Sequence, residues 1–519
     1  MPSERLLALD VGTQSVRALL FDREGELHAR AQVPIEPYVS PVPGWAEQDP
    51  AVYWQALGEA CGALWAQSGA EPGDVAGVAL TTQRATTVVV DAEGRPLRDA
   101  IVWTDKRRAP SVPGMGPLWN ALFALAGARD VIREFQVRCH ANWLAAQAPE
   151  VWSRTHKCLL LSGWLTHRLC GRFVDAAAAQ VGYIPFDFKR RDWPRKGDWK
   201  WRATAMEPRH LPDLAAPGQR LGDLTAEAAA HLGLAAGLPL IAAGADKACE
   251  VLGAGGVSPE TGVLSFGTTA TVNTCRERYL EVTRFAPPYP AAVPGAYNDE
   301  VQINHGFWLV SWFKRQFAAR EREIAEVRGI APEALFDEMI ADIPPGCLGL
   351  TLQPYWSGAV RDPGPEAKGA IIGFGDVHTR AHIYRAILEG LAYALRAGKE
   401  RIERRSRVPI RRLRVAGGGS QSDAAMQITA DIFGVTAERP HVYEASGLGA
   451  AINAAVGLGW YPDHGAAVAA MVRAGAAFEP DPEAGEIYDR LYNRVYRRMY
   501  ERLKPLYEDI REITGYPPR

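Results

Sequence analysis

Two apolar runs separated by a short polar stretch open the chain. Residues 6–9 suit a buried strand, residues 16–21 a second, and Gly12-Thr13-Gln14-Ser15 joins them. A third strand is predicted over 26–33, after a turn at Arg23-Glu24-Gly25. A proline-rich loop over 34–50 follows. Asp49-Pro50 then starts a helix that carries Tyr53, Trp54, Leu57 and Leu64 at helical spacing. Further strands are predicted over 75–81, 88–91, 100–103 and 238–243. Residues 110–235 read as mostly helical, with a basic, tryptophan-rich surface loop over 189–202. The stretch 261–272 repeats the opening design: an apolar run, the turn Gly267-Thr268-Thr269, and a second run. A helix from about residue 379 follows. A strand over 413–416 then runs into Gly417-Gly418-Gly419-Ser420-Gln421-Ser422-Asp423 and a helix over 424–433. A small-residue helix near Ser446 and an amphipathic tail over 487–510 complete the pattern.

The polar residues collect where apolar runs end, which is where α/β proteins place ligand sites. Gly12 lets the backbone approach a ligand, and exposed turn amides can form an anion-binding concavity. Thr13 and Ser15 add hydroxyls, Arg17 can neutralise phosphate, and Asp10 could hold a hydrated cation. The same turn also reads as an ordinary hairpin. Gln83, Arg84, Trp103 and Asp105 form a candidate small-molecule pocket. Asp246, after Gly244-Ala245, is placed either as a general base or as a cap for the helix it enters. The repeated hairpin suggests a duplicated domain, with two turns facing each other across a cleft and clamping a nucleotide; the division expected is 1–250 and 251–519. Three glycines at 417–419 would present bare backbone to that nucleotide.

Length and composition narrow the class. At 519 residues the chain exceeds one ordinary core. A net charge of −2 argues against a general nucleic-acid or membrane-surface binder. Seven scattered cysteines without a CxxC pair read as reduced thiols. The amino terminus has no signal-peptide pattern and no window has the ~18 uninterrupted apolar residues of a membrane span, so a cytoplasmic protein is expected. No Walker A, HExxH, GxSxG or dinucleotide fingerprint occurs.

Taken in order, these motifs resemble the FGGY carbohydrate kinases over nearly the whole chain. Asp10-Val-Gly-Thr-Gln-Ser15 is similar to the family's first phosphate loop. Gly44-Trp45-Ala-Glu47-Gln-Asp49-Pro50 and Thr82-Gln83-Arg84 resemble its sugar-domain motifs. Gly244-Ala-Asp246 resembles the catalytic-base motif, Gly267-Thr268-Thr269 the second phosphate turn, and Gly417-Gly418-Gly419-Ser420 the adenosine loop. The resemblance implies an α/β, duplicated ribonuclease-H-like (actin/hexokinase-like) fold of two lobes, with the active site in the cleft between them. It implies transfer of the ATP γ-phosphoryl group to a sugar or polyol hydroxyl. Asp246 would be the base; Gln83, Arg84, Trp103, Phe135, Asp246 and Lys247 would meet the acceptor. Thr13, Gln14, Ser15, Arg17, Gly267, Thr268, Gly418, Gly419 and Ser422 would meet ATP, and Asp10 and Asp246 would hold Mg²⁺. Partners beyond the small molecule are not expected, apart from a homodimer or homotetramer.

Four positions depart from the glycerol-kinase branch of the family. Ala85 stands where an acidic residue is usual, Phe135 for a hydroxyl-contacting tyrosine, Thr271 for an aromatic wall, and Lys247 for a glutamine. Two lost hydrogen-bond partners and a wider pocket favour a ketose or polyol larger than glycerol, and Lys247 leaves room for an acidic one. The alternative is a nucleotide-dependent switch or binding protein on the same fold, without an acceptor.

Overall fold

The computed structural model describes residues 4–67, 69–358 and 363–516. The elements that position the site are, in chain order, strands β1 (Arg5–Val11), β2 (Ser15–Phe21) and β3 (Leu27–Pro34), helix α1 (Pro50–Trp65), β4 (Val75–Thr82), β5 (Arg220–Asp223), β6 (Pro239–Ala245), α2 (Asp246–Gly253), β7 (Thr261–Phe266), β8 (Ala270–Arg276), α3 (Arg380–Ser406), β9 (Arg412–Ala416), α4 (Asp423–Phe433), β10 (Ala437–Pro440), α5 (Ala445–Gly457) and β11 (Ala474–Phe478).

Two compact units are built from them, and neither is one continuous run of sequence. The first holds Met1–Val257, Cys275–Asn298 and Glu444–Arg473; the second holds Ser258–Thr274, Asp299–Tyr443 and Ala474–Arg519. In the first unit the sheet order is β5-β6-β4-β1-β2-β3. The β1–β2 hairpin is antiparallel, β1–β4 and β4–β6 are parallel, and β5 returns antiparallel at the edge. In the second unit β8-β7-β9-β10-β11 repeats that order and those directions: an antiparallel hairpin, two parallel steps, an antiparallel edge. The repeated hairpin legible in the sequence is thus the visible part of a repeated sheet.

The strands of β1 and β4 are apolar on both faces because both faces are covered. Leu7, Leu9 and Leu20 bury in a core with Tyr53, Leu57 and Leu64 of α1. Asp49 Oδ1 accepts the Ala51 amide at 2.9 Å, so the predicted Asp-Pro start is a capped helix start. On α5 the small residues serve close packing. A Cβ on Gly449 would fall on the Cys249 carbonyl oxygen, and one on Gly253 would fall on the Ala445 carbonyl oxygen.

Three expectations need correction. Residues 110–235 are not mostly helical: strands cover Lys157–Leu160, Val174–Ala176, Asp213–Ala215 and Arg220–Asp223 among the helices. The first of these runs directly into the helix Leu161–Cys170, so strand and helix merge into one apolar stretch that periodicity does not divide. The stretch 189–202 is also more than a surface loop. Trp193 Nε1 donates to the Pro212 carbonyl at 2.8 Å, Trp201 Nε1 to that of Arg195 at 3.1 Å, and both rings pack on a buried cluster. The predicted strand over 100–103 stops at Ile101, and Trp103 leaves the sheet 44% exposed.

Candidate active site

Register brings three strand ends of the first unit together. Asp10 pairs with Thr81 and Thr81 with Gly244; one step on, Val11 pairs with Thr82 and Thr82 with Ala245. The residues that follow, Gly12, Gln83 and Asp246, therefore leave the sheet at the same edge. The Gly12 amide donates to the Ser15 carbonyl at 3.0 Å and closes the turn, with Ser15 buried and Gln14 exposed.

Asp10 is buried and accepts from Arg17 Nη1 at 2.8 Å. Arg17 also lies 3.6 Å from Glu444, which pairs with Arg30 at 2.7 Å. Burial pushes the Asp10 carboxyl up to about 6 against the pull of Arg17, and the charge of Asp246 pushes the same way. Burial likewise raises Asp246, while Arg84 and Lys247 draw it down. Lys247 Nζ donates to Glu250 Oε2 at 2.6 Å, and the carboxylates of Glu250 and Asp246 keep the ammonium charged despite burial.

A hydrogen-bonded chain ties the turn to the candidate pocket. Trp103 Nε1 donates to Thr13 Oγ1 at 2.9 Å, Thr13 Oγ1 donates to Gln83 Oε1 at 2.8 Å, and Gln83 Nε2 donates to Tyr53 Oη at 3.1 Å. Arg84 lies over the Tyr289 ring, 5.1 Å from its centroid. Ala85 adopts φ +60°, a left-handed conformation that is uncommon for alanine. Phe135 packs among Trp199 and Tyr183, ring centroids 6.0 and 6.3 Å away. Thr271 is buried and accepts from Asn273 Nδ2 at 2.8 Å.

The Gly44–Pro50 motif clamps the loop that carries Trp103. The Ala46 amide donates to Asp105 Oδ2 at 2.6 Å, and the Lys106 amide to the Gly44 carbonyl at 2.8 Å. Arg107 lies against the edge-to-face pair Trp45 and Trp143, 4.1 and 4.6 Å from their centroids, and pairs with Glu47 and Asp105 at 2.7 Å each. Both oxygens of Asp105 are thus engaged by Arg107 and the Ala46 amide. Its part in the pocket is to hold the loop.

In the second unit the β7–β8 turn carries Gly267 and Thr268, whose carbonyls accept the Phe307 and Gly306 amides at 2.9 Å each. Gly417, at φ +87°, leaves β9 so close to β7 that a Cβ would lie 2.9 Å from the Phe266 carbonyl carbon. Gly419 lies under the Phe307 ring, with no room for a Cβ, and Gly418 is exposed. Ser422 Oγ caps α4 by accepting the Ala425 amide at 3.0 Å, and donates to Asp337 at 2.7 Å.

Sequence reasoning did not find Tyr53, Glu444 or Lys106 as part of this arrangement. Tyr53 sits at core spacing on α1, and no local pattern links Glu444 to Arg17. Lys106 stood in plain view beside Asp105 but has no distinguishing neighbour in sequence.

Models of the FGGY family of carbohydrate kinases match the chain, the N-terminal domain over residues 5–253 and the C-terminal domain over 262–458. The uncharacterized sugar kinase YgcE of Escherichia coli (strain K12) is 31% identical over 500 residues, covering 95% of this chain and 92% of its own. A xylulose kinase of Lactococcus lactis is 30% identical, covering 94% of each chain. The crystal structure of xylulose kinase from Rhodospirillum rubrum superposes with a TM-score of 0.79 at 27% identity, covering 97% of this chain and 100% of that one. The fold is that of the actin-like ATPases, mixed α/β with a duplicated sheet. The chain belongs to the FGGY family of carbohydrate kinases. It is an ATP-dependent phosphotransferase acting on a sugar or polyol hydroxyl. Among the described residues no helix is long and apolar enough to cross a membrane.

Proposed function

We propose that this kinase acts in the cytoplasm on an acceptor larger than glycerol, with Asp246 as the base that takes the attacking hydroxyl's proton. The observation that carries the assignment is the shared sheet edge that delivers Gly12, Gln83 and Asp246 together. Gln83, Arg84 and Trp103 orient the acceptor, with Phe135 and Lys247 beside it. The 12–17 turn meets the transferred phosphate through Thr13, Gln14, Ser15 and Arg17. Gly267, Thr268, Gly418, Gly419 and Ser422 line the nucleotide; the hydroxyl of Ser422 already serves as a helix cap, so its backbone is the contributing part. Phosphoryl transfer asks chiefly for positioning and charge stabilisation, and these groups supply both.

Asp10 and Asp246 fit a hydrated magnesium ion. Among the described residues no cluster of three metal-ligating side chains exists, but magnesium keeps several waters and needs only one or two carboxylates beside substrate phosphates. Each carboxylate is raised by burial, and the charge of Asp246 further disfavours ionisation of Asp10. A cation between them would favour both ionised forms. Bound there, it would neutralise phosphate charge.

The acceptor preference rests on Ala85, which lines the recess beside Trp103 and is small where the glycerol-kinase pattern has an acidic residue. The test is ADP release by the purified protein with Mg·ATP across polyols, ketoses and sugar acids. Release that depends on four- to six-carbon acceptors is expected. Brisk glycerol turnover with poor turnover of larger acceptors would refute the size assignment, and ATPase without acceptor dependence would favour a nucleotide switch.

The electrostatics of Asp246 make a separate prediction. Burial raises its pKa and Lys247 opposes the rise. Lys247→Met removes a cation that favours the carboxylate, so the acid limb of the kcat/KM profile should move to higher pH. An unmoved or lowered limb would exclude Asp246 as the titrating base.

A further inference from the structure

Behind Trp103 the first unit contains a recess of about 50 Å³ whose walls include Ala85, Trp103, Lys106, Arg138, His140 and Tyr183. It is room for one terminal group, not for a second sugar ring. Its charge is one-sided. Among the described residues the only carboxylate lining it is Asp105, and that group is closed off by Arg107 and the Ala46 amide. Glu134 stands behind Arg138 and accepts from both Arg138, at 2.5 Å, and Arg108, at 2.7 Å. One carboxylate therefore serves two guanidinium groups. The Lys106 ammonium has no hydrogen-bond or ion-pair partner among the described residues.

The recess is also built rather than incidental. Lys106 is anchored through its amide to Gly44 and lies between Asp105 and Arg107, which the Trp45 and Trp143 rings and Glu47 hold in place. Arg138 lies over the Tyr183 ring, 5.8 Å from its centroid, which limits its rotamers. His140 Nδ1 is 2.8 Å from Thr87 Oγ1. Burial lowers His140 to about 4 despite the pull of Asp105, so its ring is neutral at pH 7 and the positive charge belongs to Lys106 and Arg138. The recess adjoins the acceptor residues directly: Trp103 belongs to both, and Ala85 follows Arg84.

We infer that this recess receives the carboxylate of the acceptor, and that the preferred substrate class is a polyhydroxy sugar acid. Lys106 and Arg138 meet the carboxylate, and the polyol chain runs past Trp103 toward Gln83 and Asp246. A charge-assisted hydrogen bond to a carboxylate in a partly desolvated pocket discriminates strongly against an uncharged end. The inference rests on the assignment of Gln83, Arg84, Trp103 and Asp246 to the acceptor.

The test compares three acceptors of one configuration and chain length by ADP release: a six-carbon aldonate, the matching alditol, and the alditol bearing a terminal phosphate. The aldonate is expected to exceed the alditol in kcat/KM by about tenfold or more. Lys106→Met should collapse that ratio, and Lys106→Arg should keep most of it; Lys106 is exposed, so neither variant threatens folding. Equal turnover of aldonate and alditol, or an equal fall of both in Lys106→Met, overturns the inference while leaving the kinase assignment intact. Preference for the phosphate ester overturns it in favour of a phosphoryl subsite. No turnover with any acceptor would bring down the acceptor assignment and this inference together.

Discussion

Asp246→Asn is expected to lower acceptor-dependent kcat by about 10²- to 10⁴-fold, the usual contribution of a general base. The substitution is nearly isosteric and keeps an oxygen to accept the Lys247 amide, which Asp246 Oδ1 does at 2.7 Å. Helix α2 should therefore start as before. Lys247 stays paired with Glu250 at 2.6 Å. What disappears is a group able to hold a proton from the hydroxyl and a negative charge beside Asp10. Since that charge raises the Asp10 pKa, the variant should be no less stable than the parent. Coupled ADP release and thermal melting, measured on the same preparation, separate the two effects. A kcat within about threefold of the parent would remove Asp246 from the chemistry, because no general base is that dispensable.

The second large effect is structural. Gly449→Val should destabilise the first unit by several kcal/mol, about 2–4 of them already present in Gly449→Ala. Any Cβ at Gly449 would fall on the Cys249 carbonyl oxygen, and reciprocally any Cβ at Gly253 on that of Ala445. Backbone cannot yield as a flexible side chain can, so α2 and α5 must separate. Because α2 begins at Asp246, separation also displaces the base, and the folded fraction should lose activity as well. Gly62 is the control. It lies inside α1 with nothing within 4 Å of an added Cβ, so Gly62→Ala should stabilise by roughly 0.5–1 kcal/mol through helix propensity. Equal melting temperatures for Gly449→Ala and the parent would refute the close crossing.

What the sequence made legible was local. The turn at Gly12, the strand end at Gln83, the Gly244–Asp246 start of α2 and the 417–423 loop are each a few consecutive residues, in which apolar runs stop and small or polar residues begin. Side-chain partners chosen across the fold were not legible. Asp105 looked available to a ligand, yet Arg107, packed against two tryptophan rings, takes it. Nothing local to Arg17 shows that it bonds Asp10 and approaches Glu444, hundreds of residues away. The strand Lys157–Leu160 was hidden by the helix it touches, because burial on all sides removes the periodicity that separates the two.

The placement of α5 has a bearing on how the chain is made. The sheet of the first unit has all its strands by Ala245, but α5, from Ala445 onward, packs against β1, β4, β6 and α2. During synthesis the first unit must wait, with that apolar sheet face uncovered, while most of the second emerges. Domains usually fold as they are made; here the last piece of the first core arrives late, so a chaperone that shields the β1–β4–β6 face during translation should raise the yield of active protein, and a truncation that ends before Glu444 should aggregate instead of yielding a stable amino-terminal fragment.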